Sequence, residues 1–101
     1  MKLLTKENRK QLPKLYSQDD KGGNAIAHVK FFTPDANWTW YVTEFDGEDT
    51  FFGLVDGMVK ELGYFSLKEL ESTTGPMKLH IERDRFWEPK MLKEIAPELF
   101  K

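Results

Sequence analysis

The chain has 101 residues, a length typical of one domain, with 40 % hydrophobic and 32 % charged residues. This balance argues against a disordered chain, and the absence of cysteine excludes disulfide bonds and thiolate metal sites. The apolar runs are too short for a membrane-spanning helix or a secretory signal. We therefore expect a single domain over residues 1–101 that acts in the cytoplasm without contacting a membrane.

The N-terminal part predicts one short helix followed by a loop. Thr5 is a good N-cap and a polar run follows it, so we expect a helix at about residues 5–12. Pro13 ends that helix, because proline cannot continue it. Residues 17–24 are polar and contain Gly22-Gly23, which predicts a loop.

The middle of the chain predicts an antiparallel meander, because apolar and β-branched runs are separated by turn residues. The strands are expected at residues 25–33, 38–45, 50–55 and 58–65. In the second strand successive side chains should point to opposite faces of the sheet. Four side chains are expected on one face, and Tyr41 and Phe45 on the other. The four side chains are Trp38, Trp40, Val42 and Glu44.

The dipeptide Asp56-Gly57 predicts a two-residue hairpin turn of type I′, because both residues tolerate positive φ. This turn sets a register in which Val55 faces Met58 and Leu54 faces Val59. Both faces of such a hairpin carry bulky apolar side chains. We therefore expect the sheet to be covered on both faces, by the helices on one and by a partner or a second copy on the other.

The C-terminal part predicts two helices and one short strand. Ser66 and Glu69 have the spacing of a capping box, which predicts a helix at about residues 67–72. Alternation over residues 77–82 favours a short strand, and Pro89 opens a last helix. Together the elements predict an α+β domain with a four-stranded antiparallel meander, a short extra strand and three short helices.

Five stretches of the chain carry a resemblance to a known family. They are LLTKENRKQLPKLYSQDD (3–20), HVKFFTPDANWTWYVTE (28–44), FFGLVDG (51–57), ELGYFSLKELE (61–71) and IERD (81–84). Together they resemble the family catalogued as domain of unknown function 2958. The resemblance implies a small bacterial protein of the kind encoded on plasmids and other mobile elements. It implies no activity and no set of functional residues.

The pair Trp38 and Trp40 is the first candidate for a binding site. Aromatic side chains on a sheet beside cations can stack unpaired bases, and Tyr41 and Lys30 would join the pair in such a site. Against this interpretation, the chain is net acidic, with a net charge of −2, which opposes phosphate binding. The same aromatics can also form the core or a protein interface, so all three interpretations stay open.

Carboxylates supply the second candidate site. A metal-dependent nuclease needs clustered carboxylates, and the candidates are Glu44, Asp56, Glu61, Glu82 and Asp84. The sequence matches no catalytic motif, and its two histidines are not spaced as a ligand pair. We therefore expect neither a metal nor a cofactor. An acidic surface that a protein partner could contact is expected to contain Asp46, Glu48, Asp49, Asp56 and Glu61.

These observations predict a binding function without catalysis. We expect a small accessory protein of mobile-element type that binds a protein partner encoded by the host or by the element. The binding hypothesis involves Trp38, Trp40, Tyr41, Glu44, Asp56 and Lys30. The alternatives are single-stranded nucleic-acid binding through the aromatic face and a metal-dependent nuclease, and a homo-oligomer is also possible.

Overall fold

A five-stranded antiparallel sheet with short helices on its faces forms the centre of the molecule. The computed structural model describes residues 2–100. In them the helices are α1 (Lys6–Gln11), α2 (Leu67–Ser72) and α3 (Leu92–Ile95), with single 3-10 turns at Gly22–Asn24 and Pro97–Leu99. The strands are β1 (Ile26–Ala27), β2 (Val29–Phe32), β3 (Thr39–Phe45), β4 (Thr50–Asp56), β5 (Lys60–Ser66), β6 (Glu82–Arg83) and β7 (Lys90–Met91). None of the helices in residues 2–100 is long and apolar enough to cross a membrane.

The strand order β5-β4-β3-β2-β6 confirms the α+β class and the predicted meander, to which β6 adds as a short extra strand. One difference is that the strand expected at residues 25–33 is interrupted at His28. Ile26 and Ala27 form β1, which pairs with β7 in a separate two-stranded ladder. Residues 90–91 are therefore in a strand, and the last helix begins at Leu92 instead of Pro89.

The register predicted for the β4–β5 hairpin is wrong. Asp56 pairs with Lys60, which leaves a three-residue loop instead of a two-residue turn. Gly57 also lacks the positive φ that a type I′ turn requires. The observed register brings large side chains into opposite positions, with Phe51 facing Phe65 and Leu54 facing Leu62. Cross-strand packing of these pairs outweighs the local preference of the Asp-Gly dipeptide.

A β-bulge at Thr43 overturns the predicted alternation of β3. Val42 pairs with Gly53, but the next pair is Glu44 with Phe52, so the β3 side gains one residue. Beyond the bulge every side chain changes face. Phe45 therefore shares the face of Trp40 and Val42, and Glu44 lies on the opposite face, contrary to the prediction.

The first face of the sheet, which carries Trp40, Val42 and Phe45, holds the larger core cluster. Phe51 lies at its centre, with ring centroids 4.7 Å from Phe45 and 5.6 Å from Phe31. The other members come from the strands, from α2 and from the segments around α1; they are Leu3, Leu4, Leu12, Val29, Leu67, Leu70 and Ile81. Each fully buried large side chain contributes about 1.5–3 kcal/mol.

The second face holds a smaller cluster. Leu54 is fully buried there, beneath Ala25, Ala27, Leu92 and Ala96. Trp87 packs at the margin of this cluster and its Nε1–H donates to the carbonyl oxygen of Ala27 at 2.9 Å. Small residues let the C-terminal segment approach the sheet closely, so the second face is covered by loops and by this segment, which includes the four-residue helix α3.

The helix α2 occupies its predicted range, because its N-terminus is capped locally. The N–H of Glu69 donates to Ser66 Oγ at 3.2 Å, and Leu67 and Leu70 face the core. The strand expected at residues 77–82 is shorter than predicted: only residues 82–83 pair with β2, and Met77 is exposed.

Candidate functional site

The two tryptophans predicted as a binding site form a stack at one end of the sheet. Trp40 lies in β3 and is 9 % exposed, whereas Trp38 precedes the strand and is 40 % exposed. Their ring centroids are 6.0 Å apart and the ring planes meet at 26°. Trp40 therefore belongs to the core, and Trp38 extends that core to the surface.

Two features hold Trp38 in this position. Thr33 clamps its backbone, because Trp38 N–H donates to Thr33 Oγ1 at 3.1 Å and Thr33 N–H donates to Trp38 O at 3.0 Å. The indole ring lies directly on Gly57 of the β4–β5 loop, where any Cβ would collide with it. A glycine is therefore required at this position for close approach rather than for a special backbone conformation.

Residues 73–76 face the stack across an open groove. The groove has a volume of about 420 Å³. One wall consists of Thr33, Ala36, Trp38 and Trp40, and the other of Thr73, Thr74, Gly75 and Pro76. We call this feature the tryptophan groove.

Asp35 fixes the distance between the two walls. Its Oδ2 accepts the N–H of Met77 at 2.7 Å, a residue 42 positions further along the chain. Gly75 packs so closely against this carboxylate that a Cβ there would collide with Oδ1. Oδ1 itself is buried and accepts no hydrogen bond from the described residues. The carboxylate thus lies behind the groove and serves to position its second wall.

The tryptophan groove is lined by uncharged residues, and this decides which ligands suit it. None of its eight lining residues is ionisable, and the nearby Asp35 carries a negative charge. Phosphate groups need cations, which the lining does not supply. Aromatic and proline surfaces without charge suit apolar side chains of a peptide.

Lys30 and Tyr41 lie on the second face, away from the tryptophan groove. Lys30 Nζ is 5.8 Å from the ring centre of Tyr41 and 5.5 Å from that of Trp87, and 3.7 Å from Asp84 Oδ2. Burial raises the pKa of Tyr41, and the carboxylates of Asp56 and Asp84 raise it further. The structure therefore separates Lys30 and Tyr41 from Trp38 and Trp40, with which they were expected to form one site.

Glu44 is buried, with 2 % of its surface exposed, and its carboxylate holds a loop. Oε1 accepts the N–H of Tyr16 at 2.9 Å and Oε2 accepts the N–H of Gln18 at 2.8 Å. Tyr16 has a φ of +70°, a backbone conformation that residues other than glycine rarely adopt unless neighbouring contacts stabilise it. Both carboxylate oxygens thus have a structural role in fixing residues 16–18.

The other carboxylates are dispersed. Asp56 ends β4 opposite Thr39 and Lys60, and strands β3 and β2 lie between it and Glu82 of β6. In the described range 2–100, no three carboxylate or histidine side chains come close enough together to hold a metal ion. The structure therefore does not assemble the five carboxylates that the nuclease alternative requires.

Part of the predicted acidic surface is used within the protein. Asp46 Oδ1 accepts three backbone N–H groups of its own turn, from Glu48, Asp49 and Thr50. Asp49 accepts the Ser66 hydroxyl and the N–H of Lys68, which lowers the pKa of the Asp49 carboxyl. These two carboxylates stabilise the turn and the start of α2, and both remain near the surface.

Six of the eight lining residues of the groove were not found by sequence reasoning: Thr33, Ala36, Thr73, Thr74, Gly75 and Pro76. The dipeptide Gly75-Pro76 has the pattern of a helix stop, and it indeed follows α2. Its position opposite the tryptophans depends on Asp35, a distant residue whose partner the sequence does not indicate.

A family model described as "Protein of unknown function (DUF2958)" matches residues 3–95 of the chain. No curated protein matches the chain, and no solved structure matches it.

Proposed function

We propose that this chain, which belongs to the DUF2958 family, binds an extended segment of a protein partner in the tryptophan groove. The observation that carries this proposal is the stacked pair itself, with Trp38 40 % exposed above the buried Trp40. A large aromatic ring held rigidly at the rim of an apolar depression is typical of an anchor site for a side chain.

Charge favours a peptide over a nucleic acid as the occupant. The uncharged lining offers no counterion for phosphate, and the carboxylate of Asp35 repels it. A neutral or basic segment meets no such repulsion. We therefore expect a partner segment with aromatic, aliphatic or proline side chains and without clustered acids.

The size of the groove limits the affinity. Its volume of about 420 Å³ accommodates one or two side chains of a partner segment. Burying two such side chains contributes about 3–6 kcal/mol, and ordering the segment offsets part of this. We expect dissociation constants of about 100 µM to several mM for isolated peptides.

A peptide selection tests the proposal. A random dodecapeptide library is selected on the wild-type protein and depleted on the Trp38→Ala variant. The enriched peptide is then synthesised and titrated while tryptophan fluorescence is measured. We expect saturable binding that is lost in Trp38→Ala and weakened in Thr74→Arg, which fills the groove from the opposite wall and leaves both tryptophans in place.

The control is Phe86→Ala, which truncates an exposed aromatic residue outside the groove. This variant should bind the enriched peptide as the wild type does. Failure to enrich any peptide relative to Trp38→Ala would contradict the proposal. Saturable, salt-sensitive quenching by a single-stranded dT12 oligonucleotide that disappears in Trp38→Ala would instead support the nucleic-acid alternative.

A further inference from the structure

The outer edge of β5 is a second surface with the properties of a binding site. The two edges of the sheet are unequal, because β6 has two residues and β5 has seven. Within residues 2–100, no strand pairs with the outer side of β5. Alternate N–H and C=O groups along that side are therefore available to another strand.

The strand β5 has few of the devices that usually prevent pairing at an edge. Its seven pairs with β4 follow without a bulge, and the strand contains no proline. Its single lysine, Lys60, is held by Glu98 with Nζ 3.0 Å from the carboxylate oxygen, a contact that also raises the pKa of Lys60. The remaining charged residue of the strand is Glu61.

Two large apolar side chains line this edge on the second face of the sheet. Tyr64 is 57 % exposed, yet its ring is held in place by Phe52, with centroids 4.9 Å apart, and by Tyr16 at 6.4 Å. Leu62 lies two residues away on the same face and is also exposed. A partner strand that covers both side chains would gain apolar burial at little cost in side-chain entropy.

We propose that β5 pairs antiparallel with β5 of a second copy of this chain, about a two-fold axis at Gly63. The two five-stranded sheets would then form one continuous ten-stranded sheet. The register places Leu62 opposite Tyr64 of the second copy, and by symmetry Tyr64 opposite its Leu62.

Self-complementarity is the reason to choose a second copy as the occupant. An axis at Gly63 overlaps all seven residues of β5 and opposes Lys60 to Ser66 and Glu61 to Phe65, so no like charges meet. An axis at Glu61 would instead place two carboxylates side by side. Gly63 also leaves the centre of the contact open, since a Cβ built there meets no atom within 4 Å.

Sedimentation velocity over 5 µM to 1 mM protein tests whether the edge is used. We expect a monomer–dimer equilibrium whose dissociation constant rises at least tenfold in Leu62→Lys and in Tyr64→Lys. Met58→Lys is the matched control, because Met58 is 93 % exposed in the hairpin loop outside β5 and receives the same charge. A purely monomeric protein at 1 mM, or equal weakening by Met58→Lys, would overturn the proposal.

Cysteine crosslinking tests the register independently, because the chain contains no cysteine. Under mild oxidation, Gly63→Cys should form a disulfide-linked dimer. Lys60→Cys alone should not crosslink, but it should do so when mixed with Ser66→Cys. Faster crosslinking of Leu62→Cys or Tyr64→Cys than of Gly63→Cys would show that the strands pair in another register or not at all.

Discussion

The two faces of the sheet are stabilised in different ways. On the first face, helices α1 and α2 and their flanking segments cover a cluster of phenylalanines, all of them buried. On the second face, the cover consists of loops and the C-terminal segment, and polar groups hold it in place. Glu44 accepts two N–H groups of the loop at residues 16–18, and Trp87 donates to Ala27. The first face has polar contacts as well, because Leu3 N–H donates to Glu71 Oε2 at 3.1 Å and Arg83 donates to Leu3 O at 2.6 Å. The comparison shows that the first face combines such contacts with a large apolar cluster, whereas the irregular cover of the second face depends more on specific hydrogen bonds.

The bulge at Thr43 lies where these two ways of covering the sheet are joined. Because of the bulge, Phe45 packs in the core cluster of the first face, and the preceding residue, Glu44, contacts the loop at residues 16–18 on the second face. The hydroxyl of Thr43 donates to the carbonyl oxygen of Phe52 at 3.0 Å, which supports the irregular pairing. Without the bulge, a carboxylate would enter the phenylalanine cluster.

The substitution Gly53→Ala should have the largest effect, because it disturbs the pairing of β4 with β3 in the middle of the sheet, on which both core clusters depend. A Cβ at this position would collide with the carbonyl oxygen of Tyr41, a backbone atom that cannot move without shifting β3. We expect a loss of at least about 3 kcal/mol in the free energy of unfolding, measured by urea denaturation. Circular dichroism should show whether the variant folds at all.

Gly63→Ala is the matched control for this experiment. Gly63 pairs directly with Gly53 in the neighbouring strand, but a Cβ there meets open space. Its stability should stay within about 0.5 kcal/mol of the wild type. Equal destabilisation by both substitutions would indicate that glycine flexibility, and not the close approach of β3, explains their presence.

Local signals allowed much of the fold to be predicted. The meander follows from turn residues between alternating strands, and α2 follows from Ser66, whose side chain caps the helix within three residues. The register of the β4–β5 hairpin could not be obtained in this way, because the pairing of Phe51 with Phe65 outweighs the Asp-Gly turn. The bulge in β3 likewise depends on packing against β4, which no pattern within β3 reveals.

The candidate site was predicted only in part. The sequence drew attention to Trp38 and Trp40, since two tryptophans two residues apart on a strand share a face. The wall opposite them depends on the hydrogen bond from Met77 to Asp35, across 42 residues. Lys30 and Tyr41 were expected beside Trp38 and Trp40 but lie on the other face of the sheet. The loop contacts of Glu44 also required the three-dimensional arrangement.

Glu44→Gln should have an intermediate effect, confined to the second face. The amide keeps one acceptor oxygen, so the N–H of either Tyr16 or Gln18 loses its partner. A lost partner for a buried donor costs about 1–3 kcal/mol. Hydrogen exchange should accelerate at residues 16–18, while the amides of α2 on the first face keep their protection.

Glu61→Gln makes the same chemical change at an exposed position of β5 and should leave both stability and exchange unaltered. Faster hydrogen exchange throughout the protein in Glu44→Gln would contradict the conclusion that the two faces are stabilised in different ways. It would mean that the loop on the second face unfolds only together with the core of the first face.

Asp49→Asn should have the smallest effect, and it tests the polar contact that joins the turn at residues 46–49 to the start of α2 on the first face. The Ser66 hydroxyl and the N–H of Lys68 lower the pKa of the Asp49 carboxyl in the folded protein. A lowered folded-state pKa stabilises the protein above the unfolded value of about 3.9, and this contribution is lost as the pH falls through the folded-state pKa. The urea concentration at the unfolding midpoint should therefore be higher for the wild type than for Asp49→Asn at pH 6. This difference should vanish as the pH is lowered toward about 2.

Glu48→Gln, in the same turn, removes an exposed carboxylate and should show no such dependence on pH. If the difference between the wild type and Asp49→Asn stayed constant from pH 6 to pH 2, the carboxylate charge would not be what Asp49 contributes. The start of α2 would then be held by its buried leucines and by the backbone hydrogen bond from Leu67 N–H to Asp49 O. Since Leu67 and Leu70 already lie in the phenylalanine cluster, that result would show that the charge of this carboxylate does not hold α2 on the first face, in contrast to the carboxylate of Glu44, which holds the loop on the second.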